Sequence, residues 1–239
     1  MKGVEAFAKA SVFWTVLFFL GIHQAGFATY YGQYRQDQFA NEMYFNNMKN
    51  GTFVEIGAFD GVSFSNTYFF ESELGWSGIC IEPNPEIFPK LKQNRKCLCV
   101  EGCVSDKPGE AKYLYLSQVA MLGGLIDKYD PKHVERVRKE LKECGGTSKE
   151  ITVSCYTFND LMQSNGITHV NFLSIDTEGG EYEILSTIDF SKFLIDVITV
   201  EDNYGDSRFV QLLDKNGFSL AGTRGCDLIF ARRGVDTAR

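Results

Sequence analysis

Phe53-Val54-Glu55-Ile56-Gly57-Ala58-Phe59-Asp60-Gly61 is the stretch whose reading decides the fold. A short aromatic and β-branched run ends in two glycines, and Ser63-Phe64-Ser65-Asn66-Thr67 then opens a helical pattern. A strand that hands over to a helix in this way is the first half of a βαβ unit. Working outward, the same rhythm predicts further strands at residues 78–82, 97–104, 171–176, 196–201, 218–223 and 226–231, with the first at 52–57. Helices are predicted at 63–74, 85–94, 157–164, 181–187 and 208–216. The pattern implies an α/β fold with a mostly parallel sheet and helices on both faces. Its last two strands, split by Gly222-Thr223-Arg224-Gly225, form a C-terminal antiparallel hairpin at the sheet edge.

One segment, residues 113–151, breaks the rhythm. It holds Met121-Leu122-Gly123-Gly124 and then a charged run from His133 to Glu143 with the spacing of a helix mostly in water. It reads as an insertion or lid over the carboxyl edge of the sheet. A chain of 239 residues has mass for one such domain rather than two large ones. With 44% hydrophobic and 23% charged residues it falls among folded globular proteins and outside disordered, collagenous and coiled-coil classes. The net charge of -7 sets the overall field against nucleic-acid phosphates, so no nucleic-acid partner is expected.

At the N-terminus, Lys2 and Lys9 precede the apolar run Val12 to Ile22, followed by Ala25-Gly26-Phe27-Ala28. Charged, apolar and small residues in that order mark residues 1–28 as a cleaved secretory signal peptide. If His23 and Gln24 are tolerated and the run extends from Ala6, the same residues make a signal anchor of a single-pass type II membrane protein. Either reading places the rest in the lumen of the secretory pathway or outside the cell, where the Asn50-Gly51-Thr52 sequon gains meaning. Seven cysteines follow this segment, an odd number that leaves at least one free. No Cys-x-x-Cys pair occurs and the three histidines are scattered, which disfavours a zinc site, and no metal ligand set is assigned.

The chemistry gathers at predicted strand ends, where open α/β sheets bind ligands. Gly57 and Gly61 let backbone approach a ligand, but the spacing lacks the third glycine of G-x-G-x-x-G, and Asp60 would repel a phosphate. That excludes a dinucleotide oxidoreductase and favours a cofactor with a cationic centre. Glu82, twenty-one residues after Gly61, stands where a ribose diol would donate two hydrogen bonds. Val104-Ser105-Asp106 ends the third strand with a polar step suited to an adenine edge. The fourth strand delivers Asp176, Glu178 and Glu181, and the fifth delivers Glu201 and Asp202, so five acids converge on one rim. Acids so crowded hold an ammonium, bind sugar hydroxyls, deprotonate an acceptor or collect a divalent ion.

Glu55-Ile56-Gly57-Ala58-Phe59-Asp60-Gly61, Ile81-Glu82-Pro83-Asn84-Pro85 and Leu173-Ser174-Ile175-Asp176-Thr177-Glu178-Gly179-Gly180-Glu181 resemble the FkbM family of S-adenosylmethionine-dependent methyltransferases. Ser65-Asn66-Thr67 and Trp76-Ser77-Gly78-Ile79-Cys80-Ile81-Glu82 look like the eukaryotic-type branch that includes the Star protein of insects. The resemblance runs from about Phe53 to Ala231, and its most specific element is D-x-E-G-x-E. A departure is Glu55, where the family often has aspartate.

The resemblance implies a Rossmann-like methyltransferase fold over residues 51–234, after a lead-in at 29–50 and before a tail at 235–239. It implies S-adenosyl-L-methionine as donor and O-methylation of a sugar or another hydroxyl. Glu55, Gly57, Asp60, Gly61, Asn66, Glu82, Ser105 and Asp106 are then the expected cofactor-binding residues, with Glu181 and Glu201 on the acceptor. Asp176 is the expected base, because a central strand end gives rigid positioning, with Glu178 beside it. His133 is the alternative base if the insertion is a lid; His169 precedes its strand and should lie at the opposite edge of the sheet. The rival reading is a methyltransferase-like binding module, without turnover, in membrane trafficking or partner recognition.

Overall fold

The computed structural model describes residues 29–235. The signal or anchor reading of residues 1–28 lies outside the described residues, as does most of the tail. Among the described residues no helix is long and apolar enough to cross a membrane.

Among the described residues eleven strands follow in chain order: β1 Thr52–Ile56, β2 Ser77–Glu82, β3 Leu98–Glu101, β4 Cys103–Val104, β5 Gly109–Leu116, β6 Gly124–Leu125, β7 Ser148–Tyr156, β8 His169–Ile175, β9 Leu194–Glu201, β10 Phe218–Arg224 and β11 Asp227–Arg232. The helices are α1 Gln36–Ala40, α2 Tyr68–Leu74, α3 Phe88–Asn94, α4 Pro131–Cys144, α5 Phe158–Ser164, α6 Glu181–Thr187 and α7 Arg208–Lys215, with a π-helical turn Asn41–Phe45 continuing α1. Seven strands form the main sheet in the order β10-β11-β9-β8-β1-β2-β3. All neighbours are parallel except at β11, which runs antiparallel to both β9 and β10. The expected α/β sheet and C-terminal hairpin are therefore present, although the hairpin's second strand sits inside its first and β10 is the edge.

Alternation along β1 sorts two cores. Val54 and Ile56 pack with α5, α6 and α7 on one face. Phe53 packs on the other with Phe69, Phe70 and Leu74 of α2, Leu91 of α3, and Ala40 and Phe45 of the lead-in. Burying both faces keeps all the polar backbone ends of the parallel strands at one rim, where the loops after β1, β2, β8 and β9 meet.

Three predicted elements are corrected. Residues 97–104 are two strands in two sheets, broken at Gly102 (φ 142°), where a Cβ would come within 2.6 Å of the Ser154 carbonyl oxygen. The helix predicted from residue 63 begins at Tyr68, because Ser65, Asn66 and Thr67 turn their donors onto Glu55 instead of into a helix. The insertion is more than a solvated helix: β5 and β7 pair antiparallel, with Tyr113 opposite Ile151, and β4, β7, β5 and β6 make a second, four-stranded sheet. Helix α4 turns buried His133 and Val137 inward and fills the space between these strands and the rim of the main sheet.

Candidate functional site

A cavity of about 1220 Å³ opens at the carboxyl ends of the parallel strands, above the range of about 300–1000 Å³ that one drug-sized ligand needs. Its floor is Ile56 and Gly57 at the end of β1, Ile81 and Glu82 at the end of β2, Asp176 and Glu178 after β8, and Glu201 at the end of β9. Gly102, Cys103 and Val104 close one side, and residues 118–125 with Lys132, Arg136 and Lys139 of α4 form the opposite wall. Gln33 and Tyr34 of the lead-in stand at the mouth.

Gly57 has a positive φ of 85°, and its N–H and that of Ala58 donate to the Ile81 carbonyl at 3.0 and 2.9 Å. A Cβ at Gly57 would lie 1.7 Å from the Asp176 carbonyl oxygen, so this position admits only glycine. Phe59 and Phe64 also hold left-handed backbone (φ 49° and 61°), costly for aromatic residues, and both line the cavity. Glu82 accepts from the N–H groups of Phe59 (2.9 Å) and Asn84 (2.8 Å). Burial outweighs these bonds and pushes its carboxyl up to about 7.

The acid floor gathers three carboxylates in one place. One carboxylate oxygen from each of Asp176, Glu178 and Glu201 falls within 4.8 Å of the others, a set of donors of the kind hard cations take. Asp176 is open to solvent through the cavity but enclosed on its other sides by protein. That enclosure, with the charges of Glu178, Asp227 and Glu181, raises its carboxyl well above the usual range, against a hydrogen bond with Glu201 that lowers it. Glu201 is raised by burial and then by Asp176, Glu178 and Glu181. Each of the two thus resists ionising while the other is charged.

Glu178, held at φ 59°, takes its counter-charge from the insertion: His133 Nδ1 lies 3.2 Å and Arg136 Nη1 3.8 Å from its Oε2. His133 is fully buried, with Nδ1 also 3.1 Å from the Tyr204 hydroxyl and Nε2 3.0 Å from the Leu122 carbonyl. Burial lowers its pKa, but the bond to Glu178, that charge and the Leu122 carbonyl outweigh it, and the ring is raised overall. Both nitrogens are occupied and the ring does not line the cavity. The geometry makes His133 a bolt between α4 and the D-x-E-G-x-E loop rather than a base.

Several other residues expected in the site lie off the cavity. Glu55 points under the glycine loop, where it accepts from Ser65, Asn66 and Thr67 and pairs with Arg95 at 3.0 Å. Arg95 also reaches the Gly61 carbonyl, Thr67 and Glu71. Asp60 caps its own turn through the N–H groups of Val62 and Ser63. Gly61 stacks on Arg95 and Leu91, and Asn66 donates to Ser174. Ser105 bonds to Asp106, whose partner is Lys128, so Cys103 and Val104 line the cavity in their place. Glu181 folds back onto Thr177 and Gly179 as the cap of its own loop. His169 lies at the opposite edge, bound to Asp196 at 2.7 Å.

The structure therefore brings together Gly57, Glu82, Asp176, Glu178 and Glu201. It adds Gln33, Tyr34, Cys103, Asn203 and Cys226, none of which carries a sequence signal of its own; of the insertion wall, Met121 to Gly124 and the charged residues Arg136 and Lys139 lie in stretches the sequence singles out.

No curated protein matches the chain significantly. Among solved structures, the chain is similar to a TehB-like SAM-dependent methyltransferase from Corynebacterium glutamicum, with 10% identity, a TM-score of 0.41 and coverage of 84% of this chain and 89% of that one. It is also similar to precorrin-6y C5,15-methyltransferase from Geobacter metallireducens, with 11% identity, a TM-score of 0.39 and coverage of 81% and 84%. The family model described as the methyltransferase FkbM domain matches residues 55–220, from Glu55 through the ends of β1, β2, β8 and β9 and into β10. The chain belongs to the FkbM-domain methyltransferases.

Proposed function

We propose that this methyltransferase takes its methyl group from S-adenosylmethionine and places it on a hydroxyl of a sugar or glycan, with Asp176 as the base. The observation that carries the reading is the single cavity in which a glycine strand end, a buried ribose-type acid and a crowded acid floor meet. The donor set suits this cofactor. Along the glycine loop and the end of β2 the lining residues are Gly57, Phe59, Phe64 and Glu82, with the cations Lys132, Arg136 and Lys139 on the opposite wall, while Ile56, Ile81, Val104 and Leu125 offer apolar walls to an adenine. Glu82 would hold the ribose diol, and the acid floor would face the ammonium.

Bound S-adenosylmethionine supplies a methyl electrophile for an in-line displacement. The chain's own task is to align the acceptor and take its proton. Asp176, fixed at a central strand end and raised above an ordinary carboxyl, is the stronger for this as a base, with Glu201 beside it to share the proton gained. His133 and Arg136 hold Glu178 in place and close α4 over the reacting groups, which limits competition from water.

The N-terminal segment supports the secretory lumen as location, with a membrane anchor if it is retained, and the side chain of Asn50 is exposed as a glycan acceptor must be. Ser65-Asn66-Thr67 and Trp76 to Glu82 support the Star-like branch. Without turnover the same cavity would serve a binding module, and the test separates the two. At about 100 times its dissociation constant, S-adenosylmethionine should stabilise the fold by about 2.7 kcal/mol, and NAD should not. A melt unmoved by the donor and its demethylated product removes the enzyme reading. Mass spectrometry of candidate glycans after incubation with labelled donor then identifies the acceptor. Donor binding with no methylated product across glycans would favour the binding module.

A further inference from the structure

Cys103 with Cys155 and Cys80 with Cys97 are thiol pairs in contact, Cys99 lying against Cys97 as well, and the pairs differ in access. Cys103 and Cys155 sit in register on parallel β4 and β7, both buried. Cys80 of β2 and Cys97, the residue just before β3, lie with their sulfurs 3.6 Å apart; Cys80 is fully buried and Cys97 is partly open to solvent. An S–S bond of about 2.05 Å needs these sulfurs to approach by about 1.5 Å. Cys97 has room to make that move, because the β2–β3 ladder begins after it, with Leu98 opposite Ile79.

The surroundings of Cys97 are those of a reactive thiol. Its hydrogen bond with Cys80 lowers its pKa, burial opposes this, and the Arg95 cation lowers it further. Cys144 is more exposed, with only the Leu141 carbonyl against its sulfur. A low-pKa, accessible thiol with a second thiol in contact is the arrangement of a redox couple.

The pair is also wired to the glycine loop. Cys80 Sγ lies 3.7 Å from Glu55 Oε2, the oxygen that pairs with Arg95. The Cys97 N–H donates to Glu71 Oε1 at 2.6 Å, and the other oxygen of that carboxylate holds Arg95 Nε. Arg95 in turn holds the Gly61 carbonyl, Ser65 and Thr67. Cys80 and Cys97 thus each touch one of the two carboxylates that position Arg95.

We propose that Cys80 and Cys97 are a dithiol–disulfide couple that low-molecular-weight disulfides oxidise, and that closing the bond loosens the glycine loop, residues 57–67, through Arg95. The Cys97 thiolate attacks one sulfur of glutathione disulfide and expels a glutathione thiolate. The Cys80 thiol, whose burial raises its pKa, then passes its proton to the Glu55 carboxylate 3.7 Å away and attacks Cys97 Sγ in the mixed disulfide, expelling the second glutathione. Two protein thiols are oxidised and one disulfide is reduced to two thiols.

The test uses the reduced full chain, titrated with glutathione disulfide and mapped by mass spectrometry of unreduced peptides, with hydrogen exchange of the 57–67 peptide read in parallel. A Cys80–Cys97 crosslink should form first, while Cys144 reaches only the mixed glutathione stage and Cys103 and Cys155 stay reduced. Exchange in residues 57–67 should rise several-fold and return on adding dithiothreitol. Cys97→Ser, or Cys97→Ala should the serine variant fold poorly, should abolish both changes. A lasting glutathione adduct on Cys97, a bond from Cys99 instead, or a crosslink with unchanged exchange overturns the proposal. None of these readouts needs the methyl donor or an acceptor, so they stand or fall apart from the assigned reaction.

Discussion

Glu55 near the end of β1 and Asp176 just after β8 are acids on adjacent central strands, and the fold treats them in opposite ways. Glu55 is buried with a guanidinium at 3.0 Å and hydroxyl and amide donors on both oxygens. Asp176 stands with Glu178 and Glu201 around it, and the basic side chains that approach this group, His133 and Arg136, go to Glu178. An acid whose charge is matched is a fixture of the structure, while an acid whose neighbours resist its charge is ready to take a proton. The difference separates scaffold from chemistry among side chains that look alike in a sequence.

The largest expected effect tests the reactive side. Asp176→Asn keeps size and shape, so turnover should drop by roughly a hundred- to ten-thousand-fold with donor affinity nearly unchanged, the span for losing a general base. Its melting temperature should hold or rise, since a repelled charge is gone. Unaltered turnover would remove Asp176 as the base; weaker donor binding, or activity restored by excess divalent cation, would make it a ligand instead.

Glu55→Gln should reverse this profile. It leaves Arg95 buried against one carboxylate instead of two, and denaturant unfolding should show a loss of about 1.5–3 kcal/mol, the scale for a hydrogen bond to a charged group. The turnover of the fraction still folded should change far less than in Asp176→Asn. Equal losses of turnover in both variants would erase the distinction.

Glu82 lies between the two cases, buried and hydrogen-bonded but without a cation. Glu82→Ala should weaken the donor by about 1.5–3 kcal/mol in calorimetry, the scale for hydrogen bonds to a charged group. A smaller effect comes from its pKa. A carboxyl raised from 4.5 to about 7 holds its proton in the native state after the unfolded chain has lost it, so the free protein's stability falls as pH rises through that window. Donor binding favours the charged form and should therefore tighten by up to about tenfold between pH 6 and 8. A flat profile, or the same profile in Glu82→Gln, would detach the ribose from Glu82.

Much of this was legible because strand ends are local features. Gly57, Glu82 and Asp176 follow apolar runs directly, and the alternation that makes β1 a strand also fixes which way each side chain points. The role of Glu55 was hidden because its partner, Arg95, is forty positions away at the end of α3, where nothing in the sequence links the two. Ser105 and Asp106 were misplaced by one loop, since Gly102 carries the chain into the second sheet and so brings Cys103 and Val104 to the cavity. Tyr34 reaches the mouth because its ring lies over Gly225, a contact between the first and last parts of the domain. His133 was visible as a histidine in a charged helix, but only packing shows both its nitrogens engaged.

The position of β1 at the centre of the sheet has a consequence for biosynthesis. Its partner on one side, β2, follows closely, but on the other side Phe53 pairs with Phe172, and the intervening chain holds the whole second sheet. At about 5–20 residues per second, the ribosome needs roughly 6 to 24 seconds to supply β8 after β1. During that interval β1, β2 and β3, with Glu55 and Arg95 all within residues 52–101, can assemble among themselves and leave one apolar strand edge open. A nascent chain arrested between residues 113 and 168 should therefore be the species most in need of a chaperone, and any truncation in that range should aggregate.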